Sequence, residues 1–103
     1  MKKSKEIEFD IPYTVVALEE YDSYVYLSTI LVKEGYRGRG LGSIGLMKSI
    51  NYAKSVNKPL LAFVTSELGG NLEDLKRWYK RHGFYEESNK IQADYNYNHR
   101  KDC

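Results

Sequence analysis

The sequence predicts an α+β domain: a mixed sheet that opens as an antiparallel meander and continues as β-α-β-α-β with a parallel strand pair. Three observations predict it. Two stretches rich in β-branched and aromatic residues, Tyr13 to Leu18 and Tyr24 to Val32, are separated by a short polar link. From Leu41 to Asn57 the period changes, with Ile44, Met47, Ile50, Ala53 and Val56 recurring every third residue as in an amphipathic helix. Leu60 Leu61 Ala62 Phe63 Val64 then forms a short continuous apolar run, the pattern of a strand buried on both faces. Strand, helix and strand over Val25 to Val64 make a crossover unit, which sets the two flanking strands parallel and side by side.

Each element has its own justification. A first short strand is expected around Ile7 to Ile11, with Pro12 ending it or sitting at its edge because proline has no N–H for a ladder. Glu19 Glu20 Tyr21 Asp22 Ser23 has the composition of a hairpin connection. In the helix from Leu41, residues Lys48, Asn51, Lys54 and Ser55 take the face opposite the apolar row, and Asn57 Lys58 Pro59 supplies the stop. After a loop containing Gly69 and Gly70, Asn71 caps a second helix, with Asp74 three residues on as its capping-box partner. That helix runs to about Arg81 and ends at His82 Gly83, where glycine supplies the left-handed residue before Phe84 and Tyr85 resume an extended chain. Ile91, Ala93, Tyr95 and Tyr97 alternate and predict a last strand.

With 103 residues there is room for one core, so residues 1–103 are read as a single domain. Apolar residues at 42% and charged residues at 29% exclude the profile of a disordered chain. A net charge of +2 is too small to make a polyanion the main partner, which argues against nucleic acid. The start Met1 Lys2 Lys3 Ser4 Lys5 is followed by Glu6 and Glu8 rather than an apolar run, and no stretch has the length of a membrane span. Neither a secretory leader nor a span is therefore expected, and the one cysteine, Cys103, excludes an internal disulfide. A reducing, cytoplasmic setting is therefore expected. His82 and His99 are isolated, and no spacing suits a metal.

The stretch that carries chemistry joins the strand ending at Val32 to the helix starting near Leu41: Arg37 Gly38 Arg39 Gly40 Leu41 Gly42 Ser43. Its three glycines remove side chains that would keep a ligand from the backbone, and the following helix points unpaired N–H groups at whatever sits there. A diphosphate suits such a place, because backbone donors, the positive end of the helix dipole, Arg37 and Arg39 all act on the same anion. The dinucleotide fingerprint lacks its third glycine at the required spacing, and the P-loop lacks its Gly-Lys-Ser/Thr triplet.

The run Leu31 Val32 Lys33 Glu34 Gly35 Tyr36 Arg37 Gly38 Arg39 Gly40 Leu41 Gly42 resembles the coenzyme A motif of the GCN5-related N-acetyltransferases, including the valine five residues before the arginine. A second stretch, Tyr79 Lys80 Arg81 His82 Gly83 Phe84, is similar to that family's Tyr, three residues, Gly-Phe, and the resemblance covers roughly Thr14 to Glu86. It implies a truncated form of the family fold with a splayed strand pair, acetyl-coenzyme A as co-substrate, and transfer of acetyl to a primary amine. It also implies that the backbone of Ile30, Leu31 and Val32 holds the pantetheine arm, with the loop from Arg37 to Ser43 on the diphosphate. Tyr79 matches the tyrosine near the coenzyme sulfur; a phenol with a pKa of about 10 is protonated at neutral pH and can donate to the departing thiolate.

The general base is less sharply marked. Neither Tyr24 to Val32 nor Leu60 to Val64 contains a carboxylate, which leaves Glu67 just past the second strand and Glu34 just past the first. Asn71 corresponds to a family asparagine that touches pantetheine, displaced by one residue, besides its capping role. Lys76, Arg77, Lys80 and Arg81 read as a solvated basic face, of which Lys80 or Arg81 could reach the nucleotide end of the cofactor.

The usual family member carries two helices between its first and second strands that roof the acceptor site, whereas the residues before Val25 read here as strands. The acceptor side is therefore expected to be open, which suits a protein lysine better than an enclosed small amine. Short members of this kind resemble phage-encoded acetyltransferases, including anti-CRISPR types that modify a host nuclease. A small polyamine or antibiotic acceptor with a homodimer supplying the roof, and a coenzyme-binding module without turnover, are the alternatives.

Overall fold

The computed structural model describes residues 3–64, 72–87 and 95–98. Along the chain these form β1 (Lys5–Glu8), β2 (Thr14–Glu20), β3 (Val25–Val32), α1 (Leu41–Ser55), β4 (Leu60–Val64), α2 (Leu72–Arg81), β5 (Tyr85–Glu87) and β6 (Tyr95–Asn98). They make one six-stranded sheet in the order β1-β2-β3-β4-β6-β5. The first three strands are the expected antiparallel meander, and β3 and β4 are parallel as the crossover requires. The last strand inserts antiparallel between β4 and β5.

Several boundaries differ from expectation for local reasons. The first strand ends at Glu8, and Ile11 instead bridges Thr14 across a turn through Pro12 and Tyr13. Glu19 and Glu20 belong to β2, because the Tyr21 N–H already closes the hairpin on the Tyr24 carbonyl at 2.8 Å. Glu20 is also held by the next layer: Lys58 Nζ donates to it at 2.6 Å and to the Tyr21 carbonyl at 2.8 Å, and the Tyr52 hydroxyl donates to its other oxygen. Lys58 and, after it, Tyr52 hold the Glu20 carboxyl below the usual carboxylate range, while Glu20 pushes the Tyr52 phenol up to about 12.

Helix α1 buries Gly45, Leu46, Ser49, Ile50 and Ala53, a row at i, i+3 and i+4 spacing. Ile44 and Met47, expected on the inner face, are each 46% exposed. The reason is Gly45. A Cβ built there would lie 2.6 Å from Val16 Cγ2, so the helix rests on the sheet at its glycine and turns its bulkier neighbours outward. The buried Ser49 hydroxyl is satisfied by the Gly45 carbonyl at 2.8 Å. At the far end Asn57 is left-handed (φ 56), its N–H bonds Lys54 O and the Lys58 N–H bonds Ala53 O. Those are the two bonds of a Schellman stop.

Helix α2 ends by the same device. Gly83 is left-handed (φ 92), its N–H reaches Lys80 O, and the Phe84 N–H reaches Tyr79 O at 3.2 Å. The Phe84 ring then packs edge-on against Tyr79 with centroids 5.2 Å apart, the apolar contact that accompanies this motif. Tyr79 and Phe84 join Val16, Leu18, Val25, Leu27, Leu46, Ile50, Ala53, Leu60 and Ala62 in the core. Lys76 departs from the expected solvated face: it is 8% exposed because it shares the inward stripe with Leu75 and Tyr79, and it pairs with Glu73 at 3.4 Å. Arg77 stays exposed and pairs with Asp74.

Candidate functional site

The site is built by an irregularity in β3. Ladder partners run Val16↔Ile30, Ala17↔Thr29 and then Leu18↔Leu27, so Ser28 is an extra residue, with its hydroxyl on the Ala17 carbonyl at 3.0 Å. Both ends of the strand show the consequence. The Val25 N–H bonds the Pro59 carbonyl at 2.9 Å, toward β4, whereas the Lys33 N–H bonds the Tyr13 carbonyl at 2.8 Å, toward β2. These residues are an even number of positions apart, so a regular strand would point both the same way. The bulge reverses the phase, and the inward side chains pass from Val25 and Leu27 to Ile30.

The parallel pairing of β3 with β4 stops after Val25↔Leu60 and Tyr26↔Leu61. Beyond that point the two strands part. Alternation back from Lys33 turns the backbone polar groups of Ile30 and Val32 into the gap and those of Leu31 toward Val15 of β2. The Leu31 side chain is exposed on the sheet face away from α1. Arg37 Nε donates to the Val32 carbonyl at 3.3 Å, as expected of an acceptor that β2 does not use.

From Val32 the chain enters the glycine-rich turn. Gly35, Gly38 and Gly40 have φ of 92, 82 and 81, a region costly for other residues, and a Cβ at any of them would meet nothing within 4 Å. Glycine is thus required by backbone conformation, and the space outside the turn is open. Gly42 differs: a Cβ there would stand 3.5 Å from Trp78 Cζ2 and from Val32 Cγ2, an ordinary contact, so the Trp78 ring of α2 lies against the start of α1 without requiring glycine there.

Gly40 is the N-cap of α1, no side chain caps the helix, and its first turn holds no acidic residue. The N–H groups of Leu41, Gly42 and Ser43 precede the first intrahelical donor, Ile44, which bonds Gly40 O at 3.0 Å. Neither a side-chain oxygen nor a carboxylate opposes the positive end of the helix dipole. Arg37 and Arg39 are both exposed beside it. Donors, dipole and guanidinium groups fit a diphosphate, and the open gap between β3 and β4 fits an extended amide-containing arm.

Two aromatic residues of this site were not singled out as functional from the sequence. Tyr36 stacks on Tyr13 with centroids 3.7 Å apart and planes 7° from parallel, and Arg39 Cζ stands over the Tyr36 ring at 5.3 Å. Tyr13 has φ 57, left-handed backbone that costs a bulky residue about 1–3 kcal/mol. Pro12 followed by a left-handed residue is the pattern of a type II turn, where glycine is usual. That exception in the sequence was the available signal, hidden among ten tyrosines.

Tyr79 is 5% exposed and packed edge-on by both Trp78 and Phe84. Glu34 is exposed in the turn. Glu67 and Asn71 lie outside the described residues. Among the described residues, no group of three or more His, Cys, Asp or Glu clusters as a metal site, and no helix is long and apolar enough to cross a membrane.

The Acetyltransferase (GNAT) family pattern matches residues 14–84, which hold the β2–β3 hairpin with its bulged strand, the glycine turn, β4 and both helices. No curated protein matches the sequence. Among solved structures the chain is similar to the anti-CRISPR protein AcrVA5, at 14% identity and a TM-score of 0.74, covering 89% of this chain and 96% of that one. It is similar to the PaiA N-acetyltransferase of Thermoplasma acidophilum in complex with coenzyme A, at 15% identity and 0.69, covering 84% and 52%. An acetyltransferase of Bacillus cereus follows at 18% identity and 0.67, covering 91% and 70%. The chain thus spans nearly all of the first and about half of the second. Because the family pattern takes in the splayed strands and the turn that receives α1, the chain belongs to the Acetyltransferase (GNAT) family and is an acyltransferase.

Proposed function

We propose that this acyltransferase transfers acetyl from acetyl-coenzyme A to a lysine amine of a protein. The observation that carries the reading is the uncapped, left-handed glycine turn opening α1 at the end of a strand that parts from its parallel neighbour. The amides of Leu41, Gly42 and Ser43, with Arg37 and Arg39, hold the diphosphate. The backbone of Ile30 and the N–H of Val32, whose carbonyl accepts from Arg37, pair with the pantetheine arm, while Leu31 presents its side chain beside them.

Bound coenzyme supplies an acyl thioester: the amine nitrogen forms the new C–N bond as the C–S bond breaks and a thiolate leaves. Tyr79 donates its phenolic proton to that sulfur. The proton lost by the amine goes to Glu67, Glu34 or water. A protein acceptor is supported by the β1–β2 connection, residues 9–13, which contains no roofing helix, and by the similarity to an anti-CRISPR protein. The setting is a cytoplasmic one, where acetyl-coenzyme A is made.

Acetyl-coenzyme A at a hundred times its Kd should add about 2.7 kcal/mol to the stability of the wild type. Gly40→Arg, which forces a side chain onto left-handed backbone at the turn, should abolish that gain. An undiminished gain in the variant would refute the assignment. Incubation of a host lysate with isotopically labelled acetyl-coenzyme A, read by mass spectrometry, should label a protein lysine; label on a small amine, or none, would refute the acceptor class.

A further inference from the structure

We propose that Tyr13 is a positioning residue for the cofactor turn: its ring, stacked on Tyr36, fixes Arg39 at the entrance to α1 before ligand arrives. The inference rests on the coenzyme reading above and adds a residue outside the glycine motif. Four observations carry it. Tyr13 occupies left-handed backbone that glycine would adopt without strain. Its ring gains little from burial there, being 52% exposed. It lies parallel to Tyr36 at 3.7 Å, inside the turn bounded by the left-handed Gly35 and Gly38. A ring at that distance leaves no room for a guanidinium on the same face, so Arg39, over Tyr36 at 5.3 Å from its centroid, takes the other.

The turn needs such a tether. Three left-handed glycines in six residues allow many conformations, and the ordering cost falls on ligand binding unless the free protein has met it already. The Lys33 N–H to Tyr13 O bond anchors the base of the turn, and the Tyr13–Tyr36 stack anchors its middle. Strained backbone retained under an exposed ring is the pattern of a residue kept for positioning rather than for stability.

The test separates the two roles by sign, using the full chain and coenzyme A as probe. Tyr13→Gly relieves the strain and removes the ring: the ligand-free melting temperature should equal or exceed that of the wild type, while the Kd for coenzyme A by calorimetry should rise roughly tenfold. Tyr13→Phe keeps the ring and should bind as the wild type does. Tyr36→Ala should weaken binding similarly, and the double variant Tyr13→Gly/Tyr36→Ala should be no weaker than either single one, since both remove one contact. An unchanged Kd in Tyr13→Gly, or a Kd and melting temperature that worsen together, would overturn the proposal while leaving the coenzyme reading intact. Wild-type protein that binds no coenzyme A would overturn both.

Discussion

The distance between α1 and the sheet rests on one missing methyl group, and Gly45→Ala tests it. The new Cβ would lie 2.6 Å from Val16 Cγ2, against an ordinary carbon contact of about 3.5–4.0 Å. Val16 is 1% exposed and β-branched, so it has no free rotamer to retreat into. Overpacking of this kind costs about 1–3 kcal/mol, and replacing glycine by alanine inside a helix returns about 1 kcal/mol. The expected net loss is about 1 kcal/mol, or 4–8 °C for a domain of this size. Gly42→Ala is the control: its Cβ would meet Trp78 and Val32 at 3.5 Å, an ordinary contact, so stability should hold or rise. Urea denaturation read by circular dichroism should show a lower midpoint with unchanged slope for Gly45→Ala alone. Adding Val16→Ala should recover at least about 1 kcal/mol of coupling. A Gly45→Ala protein as stable as the wild type would refute the claim that Val16 sets the helix height.

Two further outcomes follow from the core and the site. Glu20 has its folded pKa lowered from an ordinary 4.5, so its contribution is complete above that value and is lost as pH falls through the folded value; Tyr52, raised from 10.0 to about 12, contributes below pH 10 and loses that contribution as pH rises through about 12. The stability difference between wild type and Glu20→Gln should therefore be widest near neutrality and shrink at both extremes, and a difference constant with pH would contradict the Lys58–Glu20–Tyr52 contact. Tyr79→Phe preserves the edge-on packing with Trp78 and Phe84, so the fold and coenzyme affinity should hold while turnover falls roughly a hundredfold; equal turnover would reduce Tyr79 to a core residue.

The sequence alone determined the order of the elements, the crossover that makes β3 and β4 parallel, the glycine turn and both helix stops. Those features are local. Left-handed backbone favours glycine or asparagine, a stop needs a few neighbouring bonds, and the change of period at Leu41 lies within one stretch of chain. The Tyr, three residues, Gly-Phe signature is legible for the same reason, since Gly83 and the Phe84-to-Tyr79 bond make it a helix stop as well as a family mark.

Only the tertiary structure decided the rest, because it depends on residues far apart in sequence. Ser28 looks like any strand residue until β2 pairs past it, yet it turns Ile30 and Val32 into the gap. Gly45 reads as a weak point in a helix until Val16 is seen beneath it, and its place against the sheet leaves Ile44 and Met47 outside. Insertion of β6 between β4 and β5, the inward turn of Lys76 and the stack of Tyr13 on Tyr36 likewise arise from contacts that periodicity within one segment does not encode.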